Sequence, residues 1–114
     1  MYYLANAFSL NMLPGPARMS ADPLTEEVAV DYLKSYLADG DCQSVIGHQA
    51  TADVLTAKFG MSIPMNRTNL KLNYGDSVYV AQLGTRLAEG QVLSQAEMEA
   101  VPLTFWVVTV MRQG

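Results

Sequence analysis

The sequence predicts an α/β (α+β) fold, with a small mixed, partly antiparallel sheet of about five strands flanked by helices. Half of the 114 residues are hydrophobic, which is enough to build one core. Segments rich in β-branched and aromatic residues alternate with segments in which apolar residues recur at helical spacing. A hairpin-like turn lies between two of the predicted strands and indicates antiparallel pairing. The length predicts a single domain spanning residues 1–114.

The chain opens with an aromatic and aliphatic segment, Tyr2–Phe8, which predicts a buried strand. Pro14–Pro16 predicts a turn, and Arg18–Ala21 gives a weaker strand signal. The first helix is predicted to begin at Asp22 and Pro23, because Asp is a good cap and Pro suits the first helical position.

That helix should carry a broad apolar stripe facing the core and should end at Gly40. The stripe comprises Leu24, Val28, Ala29, Tyr32, Leu33, Tyr36 and Leu37. A second helix is predicted from about Gln49 to Phe59, before Gly60.

The second half of the chain predicts a hairpin, a short helix and a last strand. Asn66–Leu72 alternates polar and apolar residues, Asn73–Asp76 resembles a hairpin loop, and Ser77–Leu83 would be the return strand. Ser94 and Glu97 match a capping box, so a short helix should begin there and end before Pro102. Thr104–Met111 predicts a central strand that is buried on both faces.

Composition excludes several classes of protein. The formal net charge is -4, from 7 basic and 11 acidic side chains, which disfavours a protein that coats duplex DNA. The longest apolar stretch is far shorter than the roughly 20 residues of a membrane span, and the first residues lack a basic signal-peptide region. One cysteine, Cys42, predicts no internal disulfide and a cytoplasmic location. One His and one Cys predict no metal site and no metal cofactor.

His48 is the only histidine and follows Gly47, at the predicted start of the second helix. The simplest interpretation is a surface or capping residue. The alternative is a proton donor to a phosphate ester, because free N–H groups at a helix start favour anions.

Arg86 and Glu89 are the second candidate pair, three residues apart between two glycines and just after a predicted strand. On one helical turn they would share a face. A surface ion pair is the simpler interpretation. The alternative is an arginine that grips phosphate, with a carboxylate that orients the arginine or His48.

Several polar residues at predicted strand ends form the third candidate group: Asn6, Ser9 and Asn11 near the first strand, and Asn66 and Arg67 at the start of another. Asn is depleted in strands, so Asn6 breaks a local rule, and such violations are often functional. A turn former or a solvated sheet edge is the alternative interpretation.

Four segments together resemble a known family. LANAFSLNML near the start, IGHQAT around His48, NRTNLKL from Asn66 and QLGTRLAEGQVLS from Gln82 are similar, in order and spacing, to the viral type III anti-CRISPR ring nucleases. The resemblance covers nearly the whole chain and diverges most over 14–40.

The resemblance implies a homodimer that binds cyclic tetra-adenylate and opens it, without a metal, to linear di-adenylate. It implies that His48, Arg86 and Glu89 are catalytic, and that Asn6, Ser9, Asn11 and Arg67 bind the ligand. The implied chemistry is attack by a 2′-hydroxyl on its own phosphate, which gives a 2′,3′-cyclic phosphate. Two alternatives remain, namely a protein that sequesters the ligand without cleaving it and a structural or regulatory dimer.

Overall fold

The computed structural model describes residues 1–84, 87 and 92–113. Within this part of the chain, three α-helices and a short 3-10 helix, Leu10–Met12, accompany one five-stranded sheet, which confirms the predicted fold class. The strands are β1 (Tyr2–Ala5), β2 (Ala17–Leu24), β3 (Cys42–Ser44), β4 (Ser77–Leu83) and β5 (Leu103–Arg112). The α-helices are α1 (Glu26–Ala38), α2 (Gln49–Phe59) and α3 (Gln95–Ala100).

The sheet has a parallel half and an antiparallel half, in the strand order β2-β5-β4-β1-β3. β1 lies between β4 and β3 and is parallel to both, whereas β5 is antiparallel to both β4 and β2. The three parallel strands therefore end on the same side of the sheet. We call this side the carboxyl edge and define it by the last residues of those strands, Ala5, Ser44 and Leu83.

Each face of the sheet contributes to a core. α1 and α2 cover one face, where Leu33, Phe59 and Phe105 are almost fully buried. The other face is covered in part by the segment that follows β1 and the segment that precedes β4. It is open toward β2, where Trp106 is 38% exposed and Met19 is 43% exposed. In the described residues, no helix is long and apolar enough to cross a membrane.

Elements with strong local signals form as predicted. α2 has the predicted bounds, and Gly60 ends it in the left-handed conformation, with φ of 67°. Ser94 and Glu97 form the reciprocal capping box at the start of α3. β4 also has the predicted bounds.

The predicted start of the first helix at Asp22 and Pro23 is wrong. Both residues belong to β2, which pairs with β5 as far as Leu24. β2 is an edge strand, where proline is tolerated because one row of backbone groups lacks a partner strand. The helix is capped instead by Thr25, whose hydroxyl accepts a hydrogen bond of 3.2 Å from the Val28 backbone N–H.

The predicted hairpin from Asn66 to Leu83 is also wrong. β4 pairs with β1 and β5, and no strand forms at Asn66–Leu72. The backbone N–H groups of Asn66 and Leu72 donate instead to the carbonyls of Ile46 and Met12, at 2.8 Å each. These long-range hydrogen bonds take the place of the pairing with β4 that the alternating polar and apolar residues predicted.

The remaining differences concern the lengths and surroundings of strands. The first strand ends at Ala5 rather than Phe8, and the short strand β3 was not predicted. The predicted strand Thr104–Met111 corresponds to β5 and is interior to the sheet. It is not buried on both faces, because Thr104 and Trp106 lie on the open part of the sheet.

We expect stability to decline in alkaline solution. Burial raises the pKa of Cys42 and of Tyr79, each to about 12. Both groups therefore stay protonated in the folded state, whereas the unfolded chain releases their protons above about pH 8.5 and about pH 10. The stabilisation is complete below these unfolded-state values and is lost progressively as the pH rises above them toward the folded-state pKa of about 12. The urea midpoint should fall between about pH 8 and about pH 11, and less so in Cys42→Ala. A constant midpoint would contradict this assignment.

Candidate functional site

The candidate site lies at the carboxyl edge. In sheets with parallel strands, ligands bind beyond the carboxyl ends, where loops from neighbouring strands meet. Asn6 directly follows β1, and Gly47 and His48 follow β3. β4 ends at Leu83, three residues before Arg86. The topology therefore gathers at one edge the starts of the three segments that contain most of the predicted site residues.

Asn6 joins the end of β1 to the approach to α2. Its side-chain Oδ1 accepts a hydrogen bond of 3.0 Å from the backbone N–H of Gly47. Because β1 ends at Ala5, Asn6 lies just outside the strand, and the sequence rule that it appeared to break is not broken. The bond uses the amide oxygen, while the amide NH2 group carries two further donors.

His48 is the N-cap residue of α2. Its Nδ1 accepts a long hydrogen bond of 3.4 Å from the Thr51 backbone N–H and lies 3.3 Å from the Thr51 hydroxyl. A backbone N–H can only donate, so the ring makes this contact in its neutral form, with the proton on Nε2. The capping interpretation of His48 is therefore confirmed, and the cap occupies Nδ1 rather than Nε2.

The first turn of α2 supplies fixed positive potential beside His48. Only from Ala52 onward does the helix bond its own N–H groups, with Ala52 donating to the His48 carbonyl at 3.1 Å. The backbone N–H groups of Gln49 and Ala50 lie before this first bond of the helix, so no helix carbonyl is placed to accept from them. Together with the helix dipole they favour an anion near His48.

Arg67 reaches the same place through Asn66. The Asn66 side chain donates a hydrogen bond of 3.0 Å to the Ser44 carbonyl, and its backbone N–H donates to Ile46. The Ser44 hydroxyl in turn donates to the Pro64 carbonyl at 2.7 Å. These bonds fasten the segment that contains Arg67 alongside the end of β3.

Gly47 lies between the side chains of Arg67 and Asn6. A methyl group in place of its hydrogen would lie 3.8 Å from Cγ and Nε of Arg67 and 3.9 Å from Oδ1 of Asn6. These are ordinary van der Waals distances, so the packing of the protein itself does not require glycine here. The bare backbone gives a ligand close access between an amide and a guanidinium group.

Ser9 and Asn11 have a local role in the structure. The Ser9 hydroxyl caps the short 3-10 helix by accepting a hydrogen bond of 3.2 Å from the Asn11 N–H. The Asn11 carbonyl accepts a bond from the Lys71 ammonium group at 2.5 Å. Both side chains are exposed, and their predicted ligand-binding role stays a prediction.

Arg86 and Glu89 lie outside the described residues, so their predicted roles also stay predictions. Among the residues that the structure describes, no three His, Cys, Asp or Glu side chains are placed to share a metal ion. The sequence did not reveal that Asn66 holds the segment containing Arg67 against the end of β3. Its only signal was an asparagine at the start of a proposed strand, where asparagine is unfavourable.

Comparison with known proteins identifies relatives along almost the whole chain. The model of the STIV B116-like family matches residues 2–105. B116 of Sulfolobus turreted icosahedral virus has a similar structure, with a TM-score of 0.81 and 33% identity, covering 95% of this chain and 97% of B116.

Two further viral proteins are similar in sequence. Uncharacterized protein 26 of Sulfolobus islandicus filamentous virus is 33% identical over 111 residues, 96% of this chain and 92% of that protein. Uncharacterized protein ORF117 of Acidianus two-tailed virus is 32% identical over 107 residues, 93% of this chain and 90% of that protein.

Proposed function

The chain belongs to the STIV B116-like family, and from this family and the geometry of its carboxyl edge we propose that it is a metal-independent ring nuclease. As a homodimer it binds cyclic tetra-adenylate and cleaves the ring to linear di-adenylate. In a cell with a type III CRISPR system this reaction removes the messenger that activates defence nucleases. The proposal agrees with the resemblance of four sequence segments to the viral type III anti-CRISPR ring nucleases.

One observation carries the proposal: three segments that are distant in sequence bring Asn6, His48 and Arg67 to one point. The Asn6 side chain bonds Gly47, the adjacent residue caps α2, and the stem of Arg67 lies over Gly47. An amide, an imidazole, a guanidinium group and a helix start form a set suited to a phosphodiester. Each group either donates hydrogen bonds to anionic oxygen or carries a proton for transfer.

The reaction needs few groups, because RNA contains its own nucleophile. The 2′-hydroxyl is tethered to the phosphate that it attacks, so little entropy is lost in bringing the reactants together. The enzyme must align that hydroxyl, stabilise the added charge on phosphorus and protonate the 5′-oxygen that leaves. The products are a 2′,3′-cyclic phosphate and a 5′-hydroxyl.

In this scheme His48 protonates the leaving oxygen. The acid is the imidazolium form, whose Nδ1–H donates to the Thr51 hydroxyl, 3.3 Å away, and whose Nε2–H is transferred to the leaving oxygen. The capping bond from the Thr51 backbone N–H requires an unprotonated Nδ1 and therefore belongs to the neutral ring that precedes protonation. Arg86 stabilises the charge on phosphorus, and Glu89 orients either His48 or Arg86.

Binding is assigned to the polar groups that the fold brings together at the carboxyl edge and to the exposed segment after β1. Arg67 offers a permanent cation and a fork of donors to phosphate. Asn6 offers its amide N–H groups, and the start of α2 offers backbone N–H groups. Ser9 and Asn11 contact the ligand from the exposed segment after β1.

The symmetry of the ligand supports the proposed homodimer. A ring of four identical nucleotides contains a two-fold axis, and a dimer with two-fold symmetry presents the same surface twice. A ligand on that axis meets two equivalent sites, and two cuts give two dinucleotides. Doubling the few arginines around the axis also concentrates positive charge, although each chain has a net charge of -4.

Two other functions use the same structure. A sequestering protein would bind the ring at this site without turnover, and a structural or regulatory dimer would bind no nucleotide. The meeting of an imidazole, a guanidinium group and a helix start at one place favours the nuclease over the structural dimer, because capping α2 accounts for His48 but not for the nearby Arg67. Turnover separates the nuclease from the sequestering protein.

The deciding experiment is incubation of the protein with labelled cyclic tetra-adenylate in EDTA. We expect linear di-adenylate from the wild type. His48→Ala and His48→Asn should both lower the single-turnover rate by about 10²- to 10⁴-fold while binding the ring as tightly as the wild type. Asparagine is a good N-cap and therefore controls for the loss of the α2 cap. Binding without cleavage by the wild type would indicate sequestration, and neither would indicate the structural dimer.

Arg67→Ala should weaken binding, because the ligand phosphate loses a charged hydrogen-bonding partner. We expect Kd to rise by about 10- to 100-fold, corresponding to the roughly 1.5–3 kcal/mol of a charged hydrogen bond. Arg18→Ala is the matched control, since it removes the same charge from an exposed position on β2, at the far side of the sheet from β1. Equal affinities of the two variants in a titration would remove Arg67 from the site.

The shared site predicts a stoichiometry of one ring per two chains. Calorimetry should give this ratio, and sedimentation should show a dimer in the absence of ligand. One ring bound per chain, or a monomer that remains active on dilution, would contradict the two-fold arrangement.

A further inference from the structure

The position of Arg67 depends on a short stretch of chain that lies along the outer edge of β3. β3 is an edge strand of three residues, and the segment that precedes Arg67 runs beside its end, with a parallel bridge between Ile46 and Met65. A backbone hydrogen bond of 2.8 Å from the Asn66 N–H to the Ile46 carbonyl joins the two. Two side chains strengthen this attachment.

The hydroxyl group of Ser44 forms the first link. It donates a hydrogen bond of 2.7 Å to the Pro64 carbonyl and accepts a longer one, of 3.5 Å, from the Ile46 backbone N–H. Ser44 is only 5% exposed, so water is poorly placed to replace its hydroxyl as the partner of the Pro64 carbonyl. This link therefore holds the segment that leads to Arg67 close to the end of β3.

The Asn66 side chain forms the second link, directly beside Arg67. Its amide group donates a hydrogen bond of 3.0 Å to the Ser44 carbonyl, while its backbone N–H bonds Ile46. Because Arg67 is the next residue, these two bonds fix the place from which its side chain extends. That side chain passes over Gly47, where an added Cβ would lie 3.8 Å from both Cγ and Nε of Arg67.

The segment has other anchors upstream and downstream, which are independent of these two links. Upstream, the Thr56 hydroxyl on α2 donates to the Ile63 carbonyl at 3.2 Å and accepts from the Ile63 N–H at 2.9 Å. Downstream, the buried residue Leu72 donates its N–H to the Met12 carbonyl. Loss of either link should therefore release the stretch around Arg67 while the rest of the segment stays in place.

We propose that Ser44 and Asn66 are positioning residues, which hold Arg67 over Gly47 and thereby set the affinity of the carboxyl edge for a phosphate of the ring. The inference rests on the proposed function, in which Arg67 binds the ligand. Neither positioning side chain needs to touch the ligand, because each acts through the backbone that carries Arg67. An arginine that is already held in place loses less entropy on binding than one that the ligand must first order.

The test is a calorimetric titration of Ser44→Ala and Asn66→Ala with a cyclic tetra-adenylate in which fluorine replaces each 2′-hydroxyl. This ring lacks the nucleophile and is not consumed. Each substitution should raise Kd by about 10-fold, the lower end of the loss expected for a charged hydrogen bond. In the Arg67→Ala background, either substitution should change Kd by less than about two-fold, because the residue that it positions is gone. Asn69→Ala, at an exposed position of the same segment, is the matched control and should leave Kd unchanged.

A second measurement follows the contact between Arg67 and Gly47 without any ligand. Their closeness predicts a nuclear Overhauser effect between the Gly47 Hα protons and the Arg67 Hγ protons in the wild type. The effect should weaken or disappear in Ser44→Ala and Asn66→Ala and persist in Asn69→Ala. Core resonances should keep their wild-type chemical shifts in all three variants, which distinguishes a local release from unfolding.

The outcomes separate this inference from the proposed function. A retained Overhauser effect or an unchanged Kd in both variants would overturn the positioning role, and so would a rise in Kd that is equally large in the Arg67→Ala background. If the wild type binds the fluorinated ring but does not cleave the natural one, the nuclease proposal fails and the same criteria still judge the inference. If the wild type binds no ring, the assigned ligand fails, and the Overhauser effect alone decides whether Ser44 and Asn66 position Arg67. If Ser44→Ala does not fold, Asn66→Ala decides, since Asn66 is only partly buried.

Discussion

The parallel arrangement of β4, β1 and β3 is the constraint on which the candidate site depends. Three parallel strands must end on the same edge, so the segments that follow them begin side by side. β1 is the middle strand, and Asn6 at its end can therefore reach the segment that follows β3. Its hydrogen bond to Gly47 turns this proximity into a fixed contact. Reversing β1 or β3 would separate Asn6 from Gly47, which now lie within hydrogen-bond distance.

Several groups at this edge combine a structural contact with a free chemical function. The neutral His48 ring caps α2 through Nδ1, and the cap does not use Nε2. The Asn6 amide holds Gly47 through its oxygen and keeps its NH2 donors. Such groups are preorganised, because the bond that stabilises the fold also fixes the orientation of the side chain. The arrangement links stability to function, so substitutions here need controls that preserve the structural contact.

Local signals in the sequence were sufficient to predict where a helix begins or ends when the position strongly favours one residue type. Gly60 ends α2, and Ser94 with Glu97 begins α3, because these positions need a left-handed glycine and a reciprocal cap. The same kind of reasoning failed at Asp22 and Pro23. These residues are good helix starters, yet pairing with β5 retained them in β2, and Thr25 was an equally suitable cap three residues later.

The sequence by itself determined the fold class, the bounds of α2 and β4, and the identity of the polar residues that could form a site. Tertiary structure decided the pairing of the strands and the meeting of Asn6, Gly47 and Arg67. Alternation at Asn66–Leu72 indicated a hairpin, because alternation reports exposure and burial along a segment but not its partner. The segment instead lies against β3 through Asn66, whose amide bonds the Ser44 carbonyl. Contacts of this kind join residues about twenty or forty positions apart, and no local pattern encodes them.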